Sequence, residues 1–225
     1  MSEFYIVRHG QASFGADNYD KLSPLGHQQS DWLGEYLAER NLEFSQLWLG
    51  EMVRHQETAS GILRGLNTDL ETVTHSGLNE FDFQNIATAY LTDHPKDAVQ
   101  KGAPPAEFYR LLKKAMGAWS NEQLDPSMLK ETWGEFRQRV FAVLSAMRKE
   151  THDKPILLVS SGGAISMLMS IVLELDAKHV IELNMQVRNA SYSHFFFNRD
   201  TVRLSSFNNV PHLDLPERVG AVTFS

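Results

Sequence analysis

Arg8-His9-Gly10 closes the apolar run Phe4-Tyr5-Ile6-Val7. A short run of that kind predicts a buried strand, and the glycine lets the backbone turn sharply after it. An arginine and a histidine are thereby delivered to a strand's carboxyl end, where open α/β sheets place their ligands. A guanidinium grips oxygens in a fork, and an imidazole is a nucleophile near neutral pH, so the pair suits a phosphoryl group. Other residues fit the same chemistry. Arg54 falls in the first turn of a predicted helix, where anions are favoured. Glu80, in Leu78-Asn79-Glu80, falls on a loop where a proton donor could sit. Ser160-Ser161-Gly162-Gly163 ends a strand and opens a helix, so Ser161 and Gly162 can offer backbone N–H groups to a phosphate.

Each of these residues comes after a predicted strand. Phe4 to Val7 is the first, Gln46 to Leu49 the second, Leu70 to Thr74 the third and Pro155 to Val159 the fourth. Ser23-Pro24 starts a helix, with serine as N-cap and proline in the first turn. A second helix carries Met52, Val53, Ala59, Ile62, Leu63 and Leu66. From Gln84 the texture changes. Breaks at Asp93-His94-Pro95 and Ala103-Pro104-Pro105 bracket a segment, and a helical stripe over Phe108, Leu111, Leu112, Ala115 and Trp119 comes next. Thr132 and Glu135 form a capping box ahead of another stripe from Trp133 to Met147. Residues 191–198 and 201–207 read as a hairpin. The order predicts a three-layer α/β/α sandwich with a mainly parallel sheet. It forms a single α/β domain over 1–225, with a helical insertion at about 84–130.

The chain has 225 residues, 21 basic and 28 acidic, for a formal net charge of -7. That balance argues against nucleic acid and anionic membranes as partners. With no cysteine, disulfides, thiol nucleophiles and thiolate metal sites are excluded. No secretory signal is visible at Met1-Ser2-Glu3-Phe4, and the apolar stretch Ala164 to Leu175 is too short to span a bilayer. The expected compartment is the cytoplasm. Oligomeric state is not legible.

The ordered set resembles the histidine phosphatase superfamily, in the branch that includes phosphoglycerate mutase. The resemblance rests on Arg8-His9-Gly10, Leu22-Ser23-Pro24-Leu25-Gly26 with Gln29, and Arg54-His55-Gln56-Glu57-Thr58-Ala59. It continues through Leu78-Asn79-Glu80, Val159 to Ile165, and Asn189-Ala190-Ser191. It implies that His9 becomes a phosphohistidine and that Arg8 and Arg54 hold the phosphoryl oxygens. It implies that Ser161 and Gly162 assist them, and that Glu80 protonates the leaving oxygen and then activates water. No metal or cofactor is implied; the partner is a small phosphorylated substrate.

The chain departs from that pattern at several positions. Ser161 stands where the family carries a second histidine. Losing a charge-assisted donor in a dry site costs on the order of 3 kcal/mol of transition-state stabilisation. His75 and His212 are stand-ins by residue type alone. Gly15 replaces a phosphate-binding asparagine, with Asn18 and Gln11 as substitutes, and Gly50 replaces a serine. Phe81, Asp82 and Gln84 come after Glu80 where the mutase has a basic run, which favours phosphomonoester hydrolysis over mutase activity. The alternative is a non-catalytic phospho-ligand binding or regulatory protein of the same fold. A further rival takes Ser161 as the nucleophile of a hydrolase-type turn, with Asp200 and His212 completing a triad.

Overall fold

The computed structural model describes residues 1–13, 20–100, 102–149 and 152–224. Among the described residues six strands form one sheet: β1 Ser2–Arg8, β2 Gln46–Leu49, β3 Thr72–Thr74, β4 Ile156–Ser160, β5 Tyr192–Phe197 and β6 Val202–Asn209, in the order β3-β2-β4-β1-β5-β6. The first four run parallel, and β5 and β6 add an antiparallel edge. Seven α-helices among the described residues accompany them: α1 Pro24–Glu39, α2 Val53–Leu66, α3 Phe83–Asp93, α4 Pro105–Ser120, α5 Trp133–Met147, α6 Gly162–Leu173 and α7 Ala177–Asn184.

Strands buried on both faces read as continuous apolar runs, because each alternate residue meets a different helical layer. Tyr5, Val7, Leu47, Leu49, Leu157 and Val159 pack with Leu33 and Leu37 of α1 and Ala59 and Ile62 of α2. Phe4, Ile6, Trp48, Ile156 and Leu158 face the opposite way, onto Phe136 and Val140 of α5 and Ala164 and Leu168 of α6. Burying each such side chain contributes about 1.5–3 kcal/mol. These two clusters make the mainly parallel sheet flanked by helices that the residue pattern predicts.

Register carries this order to the site. Phe4 pairs with Ile156 and Arg8 with Ser160, so the next residues, His9 and Ser161, leave adjacent strands side by side. The helix starts are as predicted. Ser23 Oγ accepts from Gly26 N at 3.0 Å ahead of Pro24. In the capping box, Glu135 N donates to Thr132 Oγ1 at 3.3 Å while Thr132 N donates to Glu135 Oε2 at 2.8 Å.

Some boundaries differ from expectation. Only Thr72–Thr74 of the predicted third strand pairs, while Leu70 packs against the α1/α2 cluster. The fourth strand lies one residue later, at Ile156–Ser160. The segment from Gln84 contains a helix before the first break, α3, capped by Asp82 Oδ1 on Asn85 N at 2.9 Å. Helix α7, with Asp176 as its N-cap, is an addition to the expected elements. Among the described residues no helix is long and apolar enough to cross a membrane.

Candidate active site

His9 sits at the end of β1 and is 6% exposed. Its N–H donates to Ser160 O at 2.9 Å, and its carbonyl accepts from Ala190 N and Asn189 Nδ2, each at 3.2 Å. The backbone is thus held from both sides. The ring Nδ1 lies 2.7 Å from Gly10 O. A carbonyl only accepts, so Nδ1 carries the proton and Nε2 keeps its lone pair. Burial, then Arg54, Arg8 and His55, hold the ring's pKa well below the ordinary histidine value. His9 is a neutral imidazole with a defined tautomer and an available nitrogen.

Two buried guanidiniums flank it. Arg8 Nη1 donates to the carbonyls of Val187 and of Phe224, the latter at 2.7 Å. Arg54 lies in the first turn of α2, where Nη1 meets Asp20 Oδ1 at 2.9 Å and Nη2 lies 3.4 Å from Ser161 Oγ. Asp20 Oδ2 also accepts from Val53 N at 2.9 Å. A carboxylate thus occupies both the arginine and the helix N-terminus, an arrangement that favours an anion. Thr58 ties helix to strand: its hydroxyl donates to Arg54 O at 2.7 Å and accepts from Gly10 N at 3.0 Å.

Glu80 reaches the same place from the loop after β3. Its Oε2 accepts from Gly163 N in the first turn of α6 at 3.0 Å, and its Oε1 from Phe81 N at 3.1 Å. A Cβ on residue 163 would sit 2.2 Å from Oε1, so only glycine admits the carboxylate here. The loop is clamped on both sides. Ser160 Oγ donates to Leu78 O at 2.7 Å, and Arg139 of α5 donates to Ser76 O, Asn79 O and Glu80 O at 3.1, 2.7 and 3.4 Å.

The structure brings Arg8, His9, Arg54, Ser161, Gly162 and Glu80 together at the carboxyl ends of β1, β2 and β4. Other candidates lie elsewhere. Gln11 Oε1 accepts from Ser23 Oγ at 2.8 Å. Gly15 and Asn18 fall outside the described residues. His75 Nδ1 accepts from Gly77 N at 2.9 Å, capping a short 3-10 turn. His212 packs beside Tyr36. The Ser161 triad does not form. Ser161 is in extended backbone (φ -112°, ψ 164°), and Asp200 lies on the β5–β6 turn, at the opposite end of β1 from His9. Reading the residues missed the imidazole that touches Ser161. It belongs to His55, whose Nε2 is 2.8 Å from Ser161 Oγ. The motif Arg54-His55 contained it, but a contact across 106 positions leaves no local signal.

Comparison with known proteins agrees with this architecture. The serine/threonine-protein phosphatase Pgam5 of Caenorhabditis elegans mitochondria is 36% identical over 77 residues, 34% of this chain and 26% of that protein. The chain thus matches about a quarter of that relative's length. A 2,3-bisphosphoglycerate-dependent phosphoglycerate mutase of Rhizobium etli is 23% identical over 189 residues, 80% of this chain and 83% of the relative. The crystal structure of phosphoglycerate mutase from Bacillus anthracis superposes with a TM-score of 0.68 at 18% identity, covering 94% of each chain. The sequence pattern of the histidine phosphatase superfamily (branch 1) matches residues 4–210. With that match over most of its length, the chain belongs to the histidine phosphatase superfamily.

Proposed function

We propose that this protein hydrolyses a small phosphomonoester through a phosphohistidine at His9. His9 Nε2 attacks phosphorus, the bond from phosphorus to the leaving oxygen breaks, and that oxygen takes the proton of Glu80. Water then attacks the phosphohistidine and gives a proton to Glu80. The N–P bond breaks, inorganic phosphate leaves, and His9 recovers its lone pair. Arg8 and Arg54 neutralise the charge on the equatorial oxygens, helped by Ser161 and the N–H of Gly162. The observation that carries this reading is the His9 tautomer, with its proton on Nδ1 against Gly10 O and two guanidiniums beside it.

The residues after Glu80 favour hydrolysis over mutase chemistry. Phe81 packs between Trp119 and Phe136, and Asp82 caps α3 while holding Lys130 at 2.6 Å. The loop therefore presents no uncommitted cation for a sugar-acid carboxylate. The second reading, a phospho-ligand binder without turnover, draws on Ser161, since a hydroxyl brings no positive charge.

The test is single-turnover labelling with a panel of ³²P-labelled small phosphates, quenched in alkali, in which phosphohistidine survives. The expected outcome is label on wild type, and neither label nor turnover in His9→Ala, whose far-UV circular dichroism is unchanged. Tight phosphate binding without label would favour the binder.

A further inference from the structure

Three features around Ser161 do not belong to an ordinary helix start. Serine at an N-cap usually accepts from the backbone N–H two or three residues on. Ser161 caps α6 yet makes no such bond; Gly163 N is taken by Glu80 instead. Its hydroxyl is directed at His55, whose Nε2 lies 2.8 Å away. Both residues are fully buried, and the His55 ring stands 5.9 Å from the His9 ring, centroid to centroid. The space for His55 is also specific. A Cβ on residue 50 would lie 2.4 Å from His55 Nδ1, so Gly50 is what allows the ring to stand there.

We infer that His55 is a positioning residue for phosphoryl transfer, holding the Ser161 hydroxyl so that it donates to a phosphoryl oxygen beside His9. This rests on the reading of the site proposed above. Donors and acceptors dictate the chemistry. Arg54 Nη2 approaches Ser161 Oγ to 3.4 Å, so the hydroxyl lies next to a group that attracts the phosphoryl oxygens. With an anion in place, the Ser161 proton turns to it, and Ser161 Oγ is left to accept from His55 Nε2–H. Nδ1 of His55 faces the Gly50 backbone without a hydrogen bond of ordinary geometry, so the ring proton can move to Nε2, whereas Gly10 O fixes it on Nδ1 in His9. The chain from imidazole to hydroxyl to phosphoryl oxygen moves no net charge. It fixes the direction of one donor in a water-poor site, where a misdirected donor contributes little.

The test compares His55→Leu, His55→Gln, Ser161→Ala and the double variant His55→Leu/Ser161→Ala with p-nitrophenyl phosphate. His55→Leu is expected to lower kcat by roughly ten- to a hundredfold with KM changed by less than about threefold. His55→Gln keeps a donor near the same point and should recover most of the rate. The double variant should be no worse than Ser161→Ala, because residues acting as one unit are not additive. Multiplicative losses, or a folded His55→Leu with wild-type kcat, would overturn the inference. If His55→Leu fails to fold, His55→Asn takes its place, polar but too short to reach Ser161. Asn is then expected to be slow and Gln fast, and equal rates count against the inference. Calorimetric titration with orthovanadate gives the same comparison without turnover, with affinity expected to fall about tenfold or more in His55→Leu. A wild type that forms no phosphohistidine overturns the proposed function, while unchanged vanadate affinity overturns the role of His55.

Discussion

At the scale of single residues, the proposed catalysis depends on keeping an imidazole uncharged between two cations. Protonating His9 adds a third positive charge to a buried cluster, so its pKa is held well below the ordinary value. The proposed nucleophile is therefore uncharged across the neutral range and into mild acid. In the proposed mechanism the Arg8 and Arg54 charges that stabilise the phosphoryl group also keep His9 uncharged before that group arrives. The His9 ring signals in a ¹⁵N–¹H spectrum are expected to stay those of a neutral Nδ1–H tautomer from pH 7.5 to pH 5.5. A His9 titration centred near pH 6.5 would contradict both the burial and the charge argument. The residues of this cluster were legible in the sequence wherever chemistry was adjacent in the chain, as in Arg8-His9. His55 was not, because its role is set by a partner on another strand end. His75 and His212 matched it in residue type but not in place.

At the scale of elements, the proposed proton donor, Glu80, depends on a helix it does not belong to. Arg139 projects from α5 onto the carbonyls of Ser76, Asn79 and Glu80, braced by an ion pair with Glu131 and by the Phe136 ring 4.7 Å away. Four carbonyls of one loop, that of Gly77 included at 3.5 Å, lean on a single guanidinium. Removing it leaves them with weaker partners and lets Glu80 drift relative to the first turn of α6. Arg139→Met is expected to lower kcat/KM on the order of tenfold, since small misplacements of a reacting group are costly. Stability should fall by about 1–3 kcal/mol, the range for hydrogen bonds to a charged group. Kinetics and urea unfolding on one preparation check both, and an unchanged kcat/KM would refute the clamp. The elements themselves were mostly legible. Strands β1 and β4 announce themselves because both faces are buried, and α1 and α5 carry their caps in sequence. The short strand β3 was over-read because Leu70 is apolar for packing, not pairing. Helix α7, eight residues long with two buried, has too short a stripe to be seen.

At the scale of the whole molecule, the buried histidines link stability to pH. Burial lowers the pKa of His55 and of His212 to about 3 in each case, and His9 is lowered as well. In the unfolded chain each titrates near the ordinary value of roughly 6.5. Below that pH the unfolded state binds protons that the folded state refuses, so unfolding becomes easier as pH falls. The effect is absent above about pH 7 and grows toward pH 3. His55 and His212 each contribute a loss of about 2 kcal/mol between pH 7 and pH 5, a large part of a typical domain's stability. His212 separates this effect from catalysis, because it packs by Tyr36, away from the His9 cluster, and both its ring nitrogens are buried without a hydrogen bond. His212→Leu removes two unsatisfied polar atoms, so stability at pH 7 should be unchanged or higher. Its loss on going to pH 5 should be smaller than wild type by about 2 kcal/mol, the share of one histidine. Urea unfolding at the two pH values measures the difference directly. If wild type and variant lose the same amount, His212 is charged in the folded protein and the burial argument fails for it. If the variant loses less while turnover at pH 7 is unchanged, the acid sensitivity of the fold is separable from the proposed phosphoryl chemistry.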